Sequence, residues 1–398
     1  MGTEHPAQAA LSDLRVLDLA DGKGAYCVKL LADMGADVLK VEPPGGDPSR
    51  SIGPFYQDIP DPDRSLFFWH FGTNRRSITL DIAHPEGQDL LRRLIASADI
   101  LVETFPPGYL DGLGLGFEAL HLLNPRLIVT SITDFGQTGP YRDYRGSDLI
   151  GLAMGGQLYL CGYPDAPPVR PAGHQAWQQA SLHAAYSTLI AAYSRDANGT
   201  GQHVDVSVQA AIAADLQNTM AAYDLTGVVR KRVGSRLVPC KDGYVRLLAG
   251  RGWDELVDWM GGYGMAGDLR DPRWQDPLVR RTEEEHFNEL VELFCLQFTR
   301  REIFEEALRR RIPITPSNTS ADLVEDPHLI ERGYFVEVDH PELDRSFTYP
   351  GAPFRHSETP WQLRRRAPLV GEDNDDIYLG ELHLTHGEMS ALKQKGVV

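Results

Sequence analysis

Between residues 15 and 132, short runs of Val, Leu and Ile alternate with helical stretches, and this alternation limits the fold more than any other feature. Residues 15–20 (RVLDLA) read as a strand, 26–34 as a helix, and 37–42 (DVLKVE) as a second strand stopped by Pro43-Pro44-Gly45-Gly46. That is one βαβ unit. After a loop rich in Pro, Asp and aromatics the pattern resumes: strand 77–82, helix 85–98 with Pro at its opening, strand 100–104, helix 117–123 and strand 127–132. Strands separated by helices imply a parallel, doubly wound α/β sheet, whose ligands sit at the C-terminal ends of the strands.

A second organising stretch follows. Pro167-Pro168-Val169-Arg170-Pro171-Ala172-Gly173 leads into residues 175–194, a run of Ala, Leu, Ile, Tyr and Gln with no Pro or Gly. Its composition predicts a helix buried on most sides. The first turn of such a helix exposes unpaired N–H groups suited to an anionic or acyl-transfer group. Here that turn carries His174, Gln175 and Trp177, and no carboxylate. Residues 204–208 read as a short strand, and a helix follows to about residue 225. Composition then changes. A hairpin at 240–246, helices at 253–260, 282–297 and 301–310, a hairpin over 334–349 and a short helix at 386–398 complete the chain. The expected division is a large domain over 1–225, a smaller α+β domain over 226–330, and a segment 331–398 returning to the large domain. Residues 1–10 read as a disordered lead.

The balance of 39 Lys+Arg against 56 Asp+Glu, a formal net charge of -17, disfavours nucleic acid as a partner. Cys27, Cys161, Cys240 and Cys295 are scattered, as expected of reduced, mostly buried thiols. No stretch resembles a signal peptide or a membrane span, so a soluble cytoplasmic protein is expected.

Several clusters are tempting and weak. Asp21-Gly22-Lys23-Gly24 after the first strand offers backbone N–H groups and a lysine to a phosphate, but lacks a dinucleotide or Walker A spacing, and reads first as a tight strand-to-helix turn. His383 and His386 lack partner ligands, and Glu372-Asp373-Asn374-Asp375-Asp376 reads as a solvated acidic loop; no metal site is expected. His203 reads as a packed or hydrogen-bonded histidine rather than a catalytic one. Asp148 is either a buried carboxylate at the ligand edge or a helix N-cap.

Taken together, Leu14-Arg15-Val16-Leu17-Asp18-Leu19, residues 31–42 (LADMGADVLKVE), Asn74-Arg75-Arg76-Ser77-Ile78-Thr79-Leu80-Asp81, residues 98–105 (ADILVETF), Asn124-Pro125-Arg126-Leu127-Ile128 and Gly199-Thr200-Gly201-Gln202-His203-Val204-Asp205 resemble the class III CoA-transferases, the CaiB/BaiF family. The resemblance implies a Rossmann-like large domain, a small α+β domain and two chains interlocked as rings. Coenzyme A and acyl-CoA are then substrates, with no tightly bound cofactor. Carried over by motif, the CoA neighbours are Lys23, Gly24, Leu80, Asp81, Thr104, Phe105, Arg145, Pro239, Cys240 and Lys241. Pro43-Pro44 stands where the family often has a basic residue.

Family chemistry uses an aspartate at the start of the Ala-rich helix as the acyl-accepting nucleophile. Counted from Pro167-Pro168-Val169-Arg170, Trp177 occupies its position. No catalytic residue is therefore expected in this chain, with Asp148 and His174 as fallback candidates. The resemblance then points to the subunit without aspartate in a heteromeric transferase, as in succinyl-CoA:(R)-benzylsuccinate CoA-transferase, with a homologous partner chain supplying the carboxylate. The alternatives are a stand-alone acyl-CoA racemase, isomerase or lyase, a transferase using another carboxylate such as Asp165, and a non-catalytic CoA-binding protein.

Overall fold

The computed structural model describes residues 9–216, 218–232, 237–247 and 252–398; all but two residues of the expected disordered lead lie outside them. Six parallel strands form the central sheet: β1 (Arg15–Leu19), β2 (Asp37–Glu42), β3 (Arg75–Thr79), β4 (Ile100–Glu103), β5 (Ile128–Thr133) and β6 (His203–Ser207), in the order β3-β2-β1-β4-β5-β6. Successive strand residues face opposite layers. Val16, Val38, Ile100 and Ile128 pack with Cys27, Val28 and Leu31 of helix Ala25–Asp33 and with Ala176, Ala180 and Ala184. Their neighbours Leu17, Leu39, Leu101 and Val129 pack on the other face with Leu90, Leu91 and Leu94 of helix Pro85–Ile95 and with Tyr378 and Met389 near the C-terminus. Both faces are covered, which is why these strands read as unbroken apolar runs.

Charged residues inside this sheet are paired. Lys40 is 1% exposed, donates to Asp47 Oδ2 at 2.9 Å and to the Ala20 carbonyl, and lies 3.8 Å from Asp18 Oδ1. Arg75 holds the other Asp18 oxygen at 2.6 Å. Arg50 grips Glu42 through two bonds of 2.7 and 2.8 Å. The cation nearest the end of β2 is thus consumed internally, and Pro43-Pro44 is not replaced by a free basic side chain from Arg50.

Three expectations are corrected. The acidic segment 372–376 is not a solvated loop: buried Asp373 accepts from Ser77 N at 2.8 Å and pairs with Arg365, and Asn374 accepts from Thr79 N at 2.9 Å. Alternate N–H groups on the free edge of β3 need acceptors, and these side chains supply them. The Ala-rich helix, Gln175–Asn198, buries only one face, through Ala176, Ala180, Ala184, Thr188, Ala191 and Arg195. The opposite face leaves Leu182, Tyr186, Ile190 and Tyr193 exposed, Tyr193 by 81%. The helix expected to run from β6 to residue 225 is two, Val208–Ala214 and Thr219–Thr226.

A second compact unit contains Gly162–Pro167 and the described residues of Arg232–Arg332. Its three antiparallel strands, β7 (Leu237–Cys240), β8 (Gly243–Leu247) and β9 (Ile314–Pro316), lie in that order. Its core gathers Trp253, Trp259, Trp274, Phe287 and Phe294. The hairpin of β10 (Phe335–His340) and β11 (Arg345–Pro350) belongs to the first unit.

Candidate functional site

Strand order reverses between β1 and β4: β1 leads by its crossover to β2 on one side, and pairs with β4 on the other. At such a point the connections diverge, and a crevice opens beyond the strand ends. The loop after β1, Ala20 to Gly24, forms one wall, and Thr104-Phe105 after β4 forms the other. Asp21 N donates to Thr104 Oγ1 at 2.8 Å, tying the walls together. Asp21 Oδ1 accepts from Lys23 N at 2.9 Å, and Lys23 Nζ lies 3.5 Å from Asp21 Oδ2. A Cβ on Gly24 would stand 2.6 Å from Ala20 Cβ and 3.2 Å from Thr104 Cγ2, so only glycine fits. Phe105 lies against Tyr109 with ring centroids 4.8 Å apart. Lys23, Gly24, Thr104 and Phe105, expected from motif alone, are therefore brought together beyond the ends of β1 and β4.

Glu103 ends β4 beneath that crevice and is 4% exposed. Its Oε2 accepts from Phe105 N at 2.6 Å. Burial pushes its carboxyl up to about 7, opposed by hydrogen bonds from Ser131 and Phe105 and by Lys23 nearby. Motif reasoning passed over this residue. The available signal was a lone acid closing the apolar run Ile100-Leu101-Val102 with no cation beside it in sequence.

The Ala-rich helix reaches the same region. Ser181 donates to the Lys23 carbonyl at 2.7 Å. At the helix start, Trp177 stacks on His174 (centroids 4.7 Å apart, planes 8° from parallel), and Phe67 meets the His174 ring edge-on at 5.5 Å. The indole passes over Gly22, whose hypothetical Cβ would be 3.3 Å from Trp177 Cζ3. Trp177 Nε1 and His174 Nδ1 are buried atoms without a hydrogen-bond partner among the described residues. Burial lowers the His174 pKa, and the nearby Arg170 lowers it further against the raising effect of Asp148.

Asp148 is 3% exposed and caps a helix, though not its own: Ser147 caps helix Asp148–Met154. Asp148 Oδ1 accepts from Ala176 N at 2.9 Å and Trp177 N at 3.3 Å, and Oδ2 pairs with Arg170 at 3.1 Å. Two of the free N–H groups at the start of the Ala-rich helix, those of Ala176 and Trp177, are thereby already engaged by an internal anion.

The remaining candidates lie elsewhere. Leu80 is buried, donating its N–H to the Glu42 carbonyl, and Asp81 accepts from Ala83 N at 2.9 Å. Both follow β3, at the far edge of the sheet from β4. Arg145 is exposed and forms no ion pair among the described residues. Pro239 and Cys240 lie in β7 of the second unit, with Lys241 in the following turn; burial raises the Cys240 thiol pKa. His203, exposed on β6, stacks on Phe117 and contacts Ser131 Oγ through Nε2 at 2.9 Å, as a packed or hydrogen-bonded histidine does. His383 and His386 are exposed. Among the described residues, no group of three or more His, Cys, Asp or Glu could hold a metal ion, and no helix is long and apolar enough to cross a membrane.

The family model for CoA-transferase family III matches residues 11–374. The chain belongs to that family. It is 37% identical to the succinyl-CoA:(R)-benzylsuccinate CoA-transferase subunit BbsE of Thauera aromatica, covering 92% of this chain and 93% of that one. It is 33% identical to the succinyl-CoA–L-malate CoA-transferase beta subunit of Chloroflexus aurantiacus, over 98% of both chains. The fold superposes on a CAIB/BAIF family protein from Brucella suis with a TM-score of 0.86 at 30% identity, covering 93% of this chain and 99% of that one.

Proposed function

We propose that this family III chain is the subunit lacking the nucleophile in a heteromeric CoA-transferase, and that a homologous partner carries the catalytic aspartate. The complex moves CoA between an acyl-CoA and a free carboxylic acid. The observation that carries the reading is Trp177. An indole in the first turn of the helix has no oxygen to form the acyl anhydride, and it fills the space over Gly22. Lys23, Gly24, Thr104 and Phe105 retain the form of a ligand crevice, so the chain keeps a place for CoA while the partner performs the covalent step.

Two further observations support a partner. The outer face of the Ala-rich helix leaves a contiguous row of Leu, Tyr and Ile exposed, an arrangement that monomers rarely tolerate. Beside helix Thr219–Thr226 lies a groove of about 390 Å³ lined by Leu216, Met220, Tyr223 and Val229. Interlocking with a homologous chain would cover such surfaces. Relatives whose names specify subunits, BbsE and both the alpha and beta subunits of the L-malate enzyme, favour the heteromeric form. Those names share succinyl-CoA, so succinyl-CoA is the proposed donor, with a substituted succinate of the benzylsuccinate kind as acceptor.

Stand-alone chemistry through Asp148 or His174 is disfavoured by their surroundings. Both Asp148 oxygens are engaged, and His174 is stacked on Trp177 with no carboxylate hydrogen-bonded to it. The deciding experiment mixes succinyl-CoA and benzylsuccinate with this chain alone, with a co-expressed homologue bearing the aspartate, and with both. Exchange is expected only from the pair, and Trp177→Asp in this chain should leave kcat of the pair unchanged. Turnover by the chain alone would overturn the assignment.

A further inference from the structure

Seven acidic residues of the described chain are buried: Asp18, Asp33, Glu42, Asp47, Glu103, Asp148 and Asp373. Six of them form ion pairs, with Arg75, Lys29, Arg50, Lys40, Arg170 and Arg365 respectively. Glu103 forms none among the described residues. It is also the one that lies at the crevice between β1 and β4. A family of buried acids so consistently neutralised makes the exception informative, because an unpaired buried carboxylate is costly to ionise.

The groups around Glu103 come from every neighbouring element. Phe105 N, on its own loop, donates to Oε2, and Ser131 of β5 hydrogen-bonds its side chain. Lys23 of the β1 loop is the cation that acts on it, and is itself shared with Asp21; Asp111 of helix Tyr109–Gly112 opposes it. Ser131 Oγ also contacts His203 Nε2 at 2.9 Å, and His203 is exposed on β6. His203 and Ser131 thus stand between solvent and the carboxyl of Glu103.

We propose that Glu103 couples occupation of this crevice by free coenzyme A to uptake of one proton from solvent, so that the crevice binds CoA with a neutral carboxylic acid beneath it. The inference rests on the reading that the crevice takes CoA. The anionic phosphates of CoA would draw on Lys23, a cation that favours the Glu103 carboxylate, and would repel that carboxylate directly. Both effects favour the protonated form. An O–H bond forms on Glu103, no other bond changes, and the added proton offsets one negative charge of the ligand. By linkage, CoA must then bind more weakly as pH rises through the range where Glu103 ionises.

A single anionic charge at about 10 Å raises the carboxyl pKa by roughly one unit at the effective dielectric of a protein site. From a starting value of about 7, this corresponds to uptake of about half a proton per CoA near pH 7.5, and to roughly sevenfold weaker binding at pH 8.5 than at pH 6.

The test is calorimetric titration of the full chain with CoA at pH 7.5, in buffers of different ionisation enthalpy, for the wild type and Glu103→Gln. The amide keeps the acceptor for Phe105 N and cannot ionise. The expected result is a proton uptake in the wild type that exceeds the variant's by about half a proton per CoA; the variant baseline removes the ligand's own titration. Equal uptake in both proteins, with CoA bound by both, overturns the inference and leaves the proposed function standing. No CoA binding by the wild type overturns both. Should Glu103→Gln fail to fold, infrared difference spectra of the wild type decide the matter: CoA must produce the carbonyl band of a newly protonated carboxylic acid, and its absence refutes the coupling.

Discussion

Asp148 offers a direct test of how the Ala-rich helix is held. Its carboxylate is 3% exposed and receives the N–H groups of Ala176 and Trp177. Truncation to Ala removes a helix cap, worth about 1 kcal/mol, and strands buried donors at a further 1–3 kcal/mol or so. The Arg170 pair adds little, because that guanidinium is 45% exposed. The expected cost of Asp148→Ala is about 3 kcal/mol. Spread over 398 residues, with about 2.1 cal/mol/K of unfolding entropy per residue, that lowers Tm by roughly 4 °C. Asp148→Asn keeps one neutral acceptor at the helix end and loses the charge–dipole attraction, a cost of about 1 kcal/mol. Scanning calorimetry of the three proteins should therefore order them wild type, Asn, Ala. An unchanged Tm in Asp148→Ala would refute the capping role. Loss of exchange activity in an Asp148→Asn complex of wild-type stability would instead make Asp148 a participant in chemistry.

Glu103→Gln should alter the pH dependence of stability. The folded carboxyl titrates at about 7 against an ordinary value of 4.5, so between these values the folded chain binds more protons than the unfolded one, and stability falls as pH rises. The wild type holds this contribution fully below pH 4.5 and loses about 3 kcal/mol of it by just above pH 7; denaturant titrations of wild type and variant should diverge in favour of the variant by that amount, and a pH-independent difference would refute the burial argument. Gly24→Ala places a methyl 2.6 Å from Ala20 Cβ, so a loss of roughly 1–3 kcal/mol is expected in the same titrations, with weaker CoA binding as the loop after β1 shifts from Thr104. A stable Gly24→Ala with unchanged CoA affinity would show that the turn has room the structure denies it.

The sheet was legible because buried parallel strands and their crossover helices leave local signatures. Runs such as Val38-Leu39-Lys40-Val41 and Ile128-Val129-Thr130-Ser131 identify themselves, and the crevice residues follow from where each run stops. What escaped the sequence depends on partners far along the chain. Asp148 looks like a local cap, and only the fold shows it serving Ala176 and Trp177, 28 and 29 residues away. The acidic segment 372–376 looks solvated until β3 is seen as an edge whose Ser77 N–H needs an acceptor 296 residues on. Residues 175–194 read as buried on most sides because so few charges interrupt them, and the fold covers only the Ala side. That mismatch has a physical meaning of its own. The uncovered Leu, Tyr and Ile are the face that the proposed partner would cover.

Under the proposed function, the indole at position 177 marks either a single lost carboxylate or a remodelled site, and Trp177→Asp in the chain alone separates the two. The ring stacks on His174 and fits over Gly22, whose Cβ position is also within 3.3 Å of Ile52 Cδ1 and 3.5 Å of Phe67 Cζ. Replacing it with aspartate would open a space lined by Ile52, Phe67 and His174, which brings apolar surface to the acyl oxygen. The N–H groups of Ala176 and Trp177 that could steady that oxygen are spent on Asp148. A restored nucleophile would therefore meet a thioester with no electrostatic support for the charge that develops on attack, a deficit of about 2.7–4 kcal/mol or 10²–10³ in rate for a single absent donor. Purified Trp177→Asp should show no acyl exchange above the wild-type background, whether followed by CoA release or by mass measurement of an acylated chain. Rapid exchange or a trapped acyl adduct on Asp at this position would mean that the site had been intact throughout, and that one substitution silenced it.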